Sequence, residues 1–380
     1  MKYVGIIAEY NPFHGGHARL LEAVRHAEAV VCVMSGAFVQ RGEAAILPPH
    51  VRAEMALAAG ADIVLELPFP FAASSARYFA TAGVRALSGV GVDTLAFGSE
   101  TGDLARLGSL ADKAPDYARR EMPEQGDAAA YFDTLGDTVS SNDILAVEYL
   151  RAIKREAPFL TPFALKREGT PYRAADNEGA YPGATALRAA LARGEDIGAL
   201  LHPATREIFA DAVEKYGIAD TARLGDAFLA FLRGSGAALA SEAAIAECGG
   251  GLLERLVRAA AEATDYQSLC GRAATKRYTD GRIRRALLCL LAGVKKEDLQ
   301  AHPAYLRLLG ANARGREFLA ATARRHTVPV VTKPAEIKAL GAAADRQRAL
   351  ALAADGLYAI AAGGALTPHT LQTMPPILKK

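Results

Sequence analysis

No two of the four cysteines, Cys32, Cys248, Cys270 and Cys289, form a CxxC pair or a Cys/His cluster with zinc spacing. Cys32 lies in an apolar run and Cys289 within Ala286-Leu-Leu-Cys-Leu-Leu291, so buried thiols in a reducing compartment are expected. No stretch approaches the ~18 uninterrupted apolar residues that a membrane span needs. The start, Met1-Lys-Tyr-Val-Gly5, has no apolar segment followed by a small-residue cleavage site. A soluble, cytoplasmic protein with no membrane association is therefore expected. An excess of one charge is also lacking, since 44 Lys+Arg face 42 Asp+Glu for a net charge of +2. That balance does not announce a nucleic-acid binder, and it does not exclude one, because a local basic face is what matters. No repeat of fixed period and no low-complexity tract interrupts the chain.

With 380 residues, 51% of them hydrophobic, the chain exceeds one ordinary domain and can build a core in each of two parts. The first part alternates strand and helix. Tyr3–Ala8, Ala29–Met34, Asp62–Leu67, Thr94–Phe97 and Leu160–Lys166 read as strands. His17–His26, Pro49–Ala59, Ala72–Leu87 and Asn142–Lys154 read as helices. The strands are nearly continuous apolar runs, which suits a parallel sheet covered on both faces. The expected fold class is a doubly wound, parallel-sheet α/β domain over residues 1–195. Beyond it, strand runs almost vanish and helical spacing takes over, as in Leu224–Leu232, Leu253–Ala263, Arg282–Leu291 and Arg346–Ala354. Residues 196–380 therefore read as a mostly helical domain, with Val328–Thr332 as one short extended piece that can return to a sheet.

The sharpest signal is His14-Gly15-Gly16-His17, directly after the first strand and opening a helix. Ligands in such sheets sit outside the carboxyl ends of the strands, and a helix N-terminus offers amide donors and partial positive charge. Gly15 and Gly16 let the backbone approach a phosphate. Two imidazoles three residues apart share one face of the first turn, where they can donate to phosphate oxygens as charge builds at the α-phosphorus. Asn11-Pro12 supplies a rigid turn. The plainer readings are a metal pair or helix-capping histidines. A metal pair needs further ligands, and only Glu9 is near.

This HxGH signature resembles that of the nucleotidyltransferase superfamily that includes class I aminoacyl-tRNA synthetases, pantetheine-phosphate adenylyltransferase and pantothenate synthetase. A longer set of strings is more particular. It comprises Gly5-Ile-Ile-Ala-Glu-Tyr-Asn-Pro-Phe-His-Gly-Gly-His17, Val33-Met-Ser-Gly36, Gln40-Arg-Gly-Glu43, Glu66-Leu-Pro68, Phe97-Gly-Ser-Glu100, Ser141-Asn-Asp-Ile-Leu145, Lys166-Arg-Glu168, Thr275-Lys-Arg-Tyr-Thr279 and Val330-Val-Thr-Lys333. Together these resemble the bacterial tRNA(Met) cytidine acetate ligase family over nearly the whole chain. The resemblance implies an ATP-dependent ligase that turns acetate into acetyl-adenylate. The acetyl group then passes to N4 of the wobble cytidine of elongator tRNA(Met).

The resemblance further implies an ATP site formed by Ile7, Ala8, Glu9, Tyr10, Asn11, Pro12, Phe13, His14, Gly15, Gly16, His17 and Leu20. Gly98, Asn142 and Arg167 complete it, and His14 and His17 carry catalysis. Each has a plainer reading: Gly98 a strand-end turn, Asn142 a helix N-cap, Arg167 a surface arginine. Gly183-Ala-Thr-Ala-Leu-Arg188 looks like the superfamily's second phosphate motif, with Thr185 capping a helix and Arg188 on a phosphate. Gly183 and Asp143 depart from the serine and second asparagine that the family commonly has there. Mg²⁺ is expected with ATP, without an evident ligand in the sequence. For acetate, Ser35 and Arg41 sit where a small pocket would open, with Arg41 the residue chosen to hold it; its plainer role is a salt bridge to Glu43 or Glu66.

Lys276, Arg277, Tyr278, Arg282, Arg284 and Arg285 form a basic cluster with one aromatic, and Arg314 and Arg316 add to it. Such a cluster can track RNA phosphates while Tyr278 stacks on an unpaired base, or it can be a solvated helix face. The resemblance favours tRNA contact. Two alternatives stay open: a small-molecule ligase of the pantothenate synthetase type, and a non-catalytic tRNA-binding protein. Oligomeric state is not legible.

Overall fold

The computed structural model describes residues 1–113, 140–167, 182–239 and 245–379. Glu168 of the Lys166-Arg-Glu168 string lies outside them. Five strands of the first half are parallel: β1 Tyr3–Ala8, β2 Ala29–Ser35, β3 Ile63–Leu67, β4 Thr94–Ser99 and β5 Thr161–Lys166. Their order is β5-β4-β1-β2-β3. The chain winds outward from β1 through β2 to β3, then crosses back to place β4 on the other side of β1. The crevice outside the carboxyl ends of β1 and β4 is therefore a topological switch point, where such sheets bind ligands.

Helices of eight or more residues are labelled in chain order. In the first half they are α1 Gly15–Val24, α2 Pro49–Ala58, α3 Ala76–Gly89, α4 Leu104–Lys113, α5 Ser141–Glu156 and α6 Ala184–Ala192. Then follow α7 Arg206–Tyr216, α8 Gly225–Leu239, α9 Leu252–Glu262, α10 Tyr266–Ala273, α11 Asp280–Ala292, α12 Ala313–Thr322 and α13 Ala342–Ala361. One sheet face packs on α3, α4, α5 and α12, and the other on α1, α2, α6 and α7. Strands β1 to β4 are buried on both faces, which is why they read as continuous apolar runs, whereas β5 at the sheet edge is only partly buried. A third core joins α8 to α11 and α13, and it includes Ala37, Phe38, Val39, Ala44 and Ala45 from the segment after β2.

The sheet does not end with the first half. Strand β6, Leu306–Ala311, pairs antiparallel with β3, and β7, Val330–Val331, and β8, Ile377–Leu378, pair with β6. The extended piece at Val328–Thr332 thus returns to the sheet. The expectation that strand runs almost vanish after residue 196 missed β6 and the short β8. A lone apolar hexamer among helices has no periodicity that separates a covered strand from a buried helical turn. No helix among the described residues is long and apolar enough to cross a membrane.

Candidate active site

Helix α1 begins with an unusual cap. His14 is the N-cap in extended conformation (φ −142°, ψ 173°), and its Nδ1 accepts from the Gly16 amide at 3.0 Å. In return His17 Nδ1 accepts from the His14 amide at 3.2 Å. The two residues form a reciprocal capping box built from imidazoles. Their rings stack with centroids 3.8 Å apart. The plain helix-capping role is thus real. A side chain at Gly16 would not be tolerated, because a Cβ there would lie 2.8 Å from His14 Cε1.

The cap fixes the chemistry of both rings. A nitrogen that accepts from a backbone amide holds a lone pair, so the proton of each neutral ring is on Nε2. Burial, helped by the positive charges of Arg167 and Arg188, holds the His14 imidazolium pKa down to about 4. Burial, His14 and Arg167 hold His17 well below the ordinary range. At neutral pH both rings are neutral Nε2–H donors. Two of the amides expected to face a phosphate are occupied by the imidazoles, and the donor role passes outward to Nε2.

Two arginines, Arg188 and Arg167, act on this turn. Arg188 of α6 donates from Nη1 to the Asn11 carbonyl at 2.7 Å, which places the arginine of the second motif against the β1–α1 turn. Across the switch point, Glu100 follows β4. Its Oε1 accepts from Asn142 Nδ2 at 2.7 Å and lies 3.5 Å from Arg167 Nε. A Cβ on Gly98 would meet Arg167 Cγ at 3.4 Å, so that glycine gives the arginine's stem room. Gly98, Asn142 and Arg167 are thereby brought together at the ends of β4 and β5.

Some expectations are corrected. The cap of α5 is Ser140, whose side chain accepts from the Asp143 amide at 3.1 Å; Asn142 is not the cap, and its amide points to Glu100. Asp143 accepts from Ser99 Oγ at 2.6 Å and the Glu100 amide at 3.0 Å. Thr185 does not cap α6. Gly183 occupies that position without a side chain, and Thr185 lies exposed in the first turn. Ile7, Ala8, Tyr10, Pro12 and Phe13 are buried, which leaves only their backbone for a ligand, and Leu20 is partly buried against the core under α1. Asn11 is buried with Oδ1 accepting from the Ile46 amide at 2.8 Å.

Near the end of β2, Ser35 is fully buried with its hydroxyl unpartnered. Arg41 is exposed and pairs with neither Glu43 nor Glu66, since Glu43 is bound by Arg188 and Arg284, and Glu66 by Arg307 at 2.7 Å. Burial pushes the Glu9 carboxyl up, opposed by the Gln40 amide that it accepts at 2.8 Å and by Arg188 and Arg41.

The family model of the HIGH nucleotidyl transferases matches residues 1–372. The chain belongs to that family. Within the HIGH nucleotidyl transferases it is 37% identical to the tRNA(Met) cytidine acetate ligase of Syntrophotalea carbinolica, covering 89% of this chain and 86% of the relative. It is 32% identical to the enzyme of the same name from Acetivibrio thermocellus, covering 94% of each. Among solved structures it superposes on Thermotoga maritima TmcAL bound with alpha-thio ATP, with a TM-score of 0.87, 27% identity and 100% coverage of both chains.

The basic cluster of this HIGH family member resolves into two kinds of residue. Tyr278 is buried, its hydroxyl donates to the Gly250 carbonyl, and Arg277 and Arg282 lie 5.3 Å from its ring centroid. A ring so enclosed is not free to stack on a base. Arg282 is buried and donates to the Gly249 carbonyl at 2.8 Å. Arg284 binds Glu43, and Arg285 lies 3.3 Å from Glu247 and reaches the Gln40 carbonyl at 3.4 Å. Arg314 and Arg316 hold carbonyls of Ala27, Glu28 and Lys379. Lys276 is exposed and Arg277 partly so.

One positioning residue was missed. Arg52 is fully buried in α2 and donates to the Leu47 carbonyl at 3.0 Å, the Glu9 carbonyl at 2.6 Å and the Gly36 carbonyl. It ties together the chain leaving β1 and β2. The signal was present: Arg52 shares a helical stripe with Met55 and Ala56, and an arginine on an apolar stripe must find internal acceptors.

Proposed function

We propose that this chain is an ATP-dependent tRNA(Met) cytidine acetate ligase. The observation that carries the reading is the pair of neutral, Nε2-protonated imidazoles capping α1 at the switch point, in a chain alike to such ligases over most of its length. ATP lies with its phosphates at the amino end of α1. His14 and His17 donate to the α-phosphate oxygens, and Arg188 and Arg167 balance the triphosphate charge. An acetate oxygen attacks the α-phosphorus, the bond to the β-phosphate oxygen breaks, and pyrophosphate leaves with the electron pair. The N4 amine of the tRNA cytidine then attacks the acetyl carbonyl, loses a proton and releases AMP. Arg41, exposed in the segment after β2, is our choice to hold the acetate carboxylate, with the buried, unpartnered Ser35 hydroxyl at the end of β2 as a second candidate.

Mg²⁺ is proposed to arrive on the ATP phosphates. The carboxylates beside the turn do not fit a metal cage, since Glu9 accepts a backbone amide and Glu43 is bound by two arginines. The helical portion, including residues 196–300, is proposed to receive the tRNA, with Lys276 and Arg277 as phosphate contacts. An anticodon base must be unstacked and delivered to the adenylate, which a separate gripping surface serves.

The test is incubation with ATP, labelled acetate and total tRNA, followed by nucleoside analysis. Labelled N4-acetylcytidine in tRNA(Met) is expected. Pyrophosphate release with pantoate but not acetate would favour the small-molecule ligase. ATP binding without pyrophosphate from either acid would leave a non-catalytic binder.

A further inference from the structure

The basic helix α11 does not aim all its arginines outward. Arg284 crosses to the segment after β2 and binds Glu43 Oε1, while Glu43 Oε2 lies 3.9 Å from Arg188 Nε. Arg188 in turn holds the Asn11 carbonyl of the HxGH turn. A continuous line of contacts thus runs from the C-terminal helices to the capped end of α1. A second line runs beside it: Arg285 reaches the Gln40 carbonyl, and the Gln40 amide donates to Glu9.

The segment that carries Glu43 is built to transmit position. It closes on itself at the Phe38–Ala44 bridge, and the Ala44 amide donates to Thr221 Oγ1 at 2.8 Å. Between Ala37 and Ala45 its apolar residues belong to the core of the C-terminal helices, and the next two, Ile46 and Leu47, pack under the sheet with α1 and α2. At its tip Gly42 adopts φ +72° and lies flush on α11, where a Cβ would stand 2.6 Å from the Arg285 backbone nitrogen. Only glycine permits that backbone conformation and that approach together.

We propose that Arg284 and Glu43 are positioning residues for adenylate formation, through which the C-terminal helices hold Arg188 and the His14–His17 turn in register. The proposal rests on the ATP chemistry given above. It removes Arg284 from the RNA-binding surface to which the sequence pattern had assigned it. One carboxylate shared between two partly buried guanidiniums fixes both, and its loss leaves Arg188 to find another direction.

The experiment measures acetate-dependent pyrophosphate formation without tRNA, and separately tRNA affinity across a salt series, for the wild type, Arg284→Ala, Arg284→Lys and Glu43→Gln. Misplacement of a positioning group by about 1 Å is expected to lower pyrophosphate formation roughly 10- to 100-fold in Arg284→Ala and Glu43→Gln. The lysine variant should recover part of the rate, and tRNA affinity and its salt slope should not change. Full pyrophosphate formation in the folded variants, with weaker tRNA binding and a shallower salt slope, would overturn the proposal. Should Arg284→Ala not fold, the near-isosteric Glu43→Gln decides alone. Should the wild type form no pyrophosphate, the functional reading fails separately. The link is then read from affinity for alpha-thio ATP, where a loss in both variants supports it and wild-type affinity refutes it.

Discussion

Protonation of the histidine pair offers a sharp physical test. Each Nδ1 accepts a backbone amide, so a proton added there both charges a buried ring and breaks a bond of the α1 cap. His14 titrates at about 4, where an unperturbed imidazole titrates near 6.5. That displacement corresponds to a penalty of roughly 3 kcal/mol on the charged form, and leaves about one molecule in a thousand protonated at pH 7. The sign for stability follows. The unfolded chain takes up this proton below pH 6.5 and the folded chain not until about 4, so stability is complete above 6.5 and falls between those values. The assay is ¹H–¹⁵N long-range correlation on the nucleotide-free protein with ¹⁵N-labelled histidine. His14→Gln and His17→Gln identify the two spin systems among the eight histidines. Both should show the Nε2–H tautomer and stay neutral from pH 8 to 5. A proton on Nδ1, or a midpoint at or above 6.5 for either ring, would refute the reasoning.

Other outcomes follow from single contacts. Replacing Lys276 and Arg277 by alanine should weaken tRNA binding and reduce its log–log salt slope by about one to two units, with acetyl-adenylate formation spared; an unchanged slope would remove them from the interface. Asp355 of α13 is buried, and burial lifts its carboxyl to about 7. Its folded pKa exceeds the unfolded value of 3.8, so the stability tied to its proton is complete below 3.8 and lost as pH rises through 7. Asp355→Asn, which keeps an acceptor for Gln372, should raise the melting temperature at pH 8.5 by the equivalent of roughly 2–4 kcal/mol and change it little at pH 4.5. Equal shifts at both pH values would contradict that.

The parallel sheet was legible because burial on both faces leaves β1 to β4 as apolar runs bounded by turns, and β1 through β5 stand within two residues of their expected positions. The HxGH turn was legible because strand, glycines and helix are contiguous in sequence. What was not legible depends on partners far along the chain. Strand β6 is specified by its pairing with β3, not by its own period. The arginines of α11 read as an RNA face because a sequence does not say which way a long side chain points. Arg282, Arg284 and Arg285 find acceptors at Gly249, Glu43 and Gln40, the last two separated from them by more than two hundred positions. Thr185 was expected as a cap, and a cap was the plainer reading of Asn142, at helix starts whose true cap positions are Gly183 and Ser140.

The central claim is that a triphosphate is activated by the two imidazoles at the start of α1, and acetate-dependent release of pyrophosphate from ATP measures it most directly. The wild type should release pyrophosphate with acetate, and His14→Ala and His17→Ala should stay folded while losing the rate by at least about 100-fold. Wild-type rates in either folded variant would contradict it.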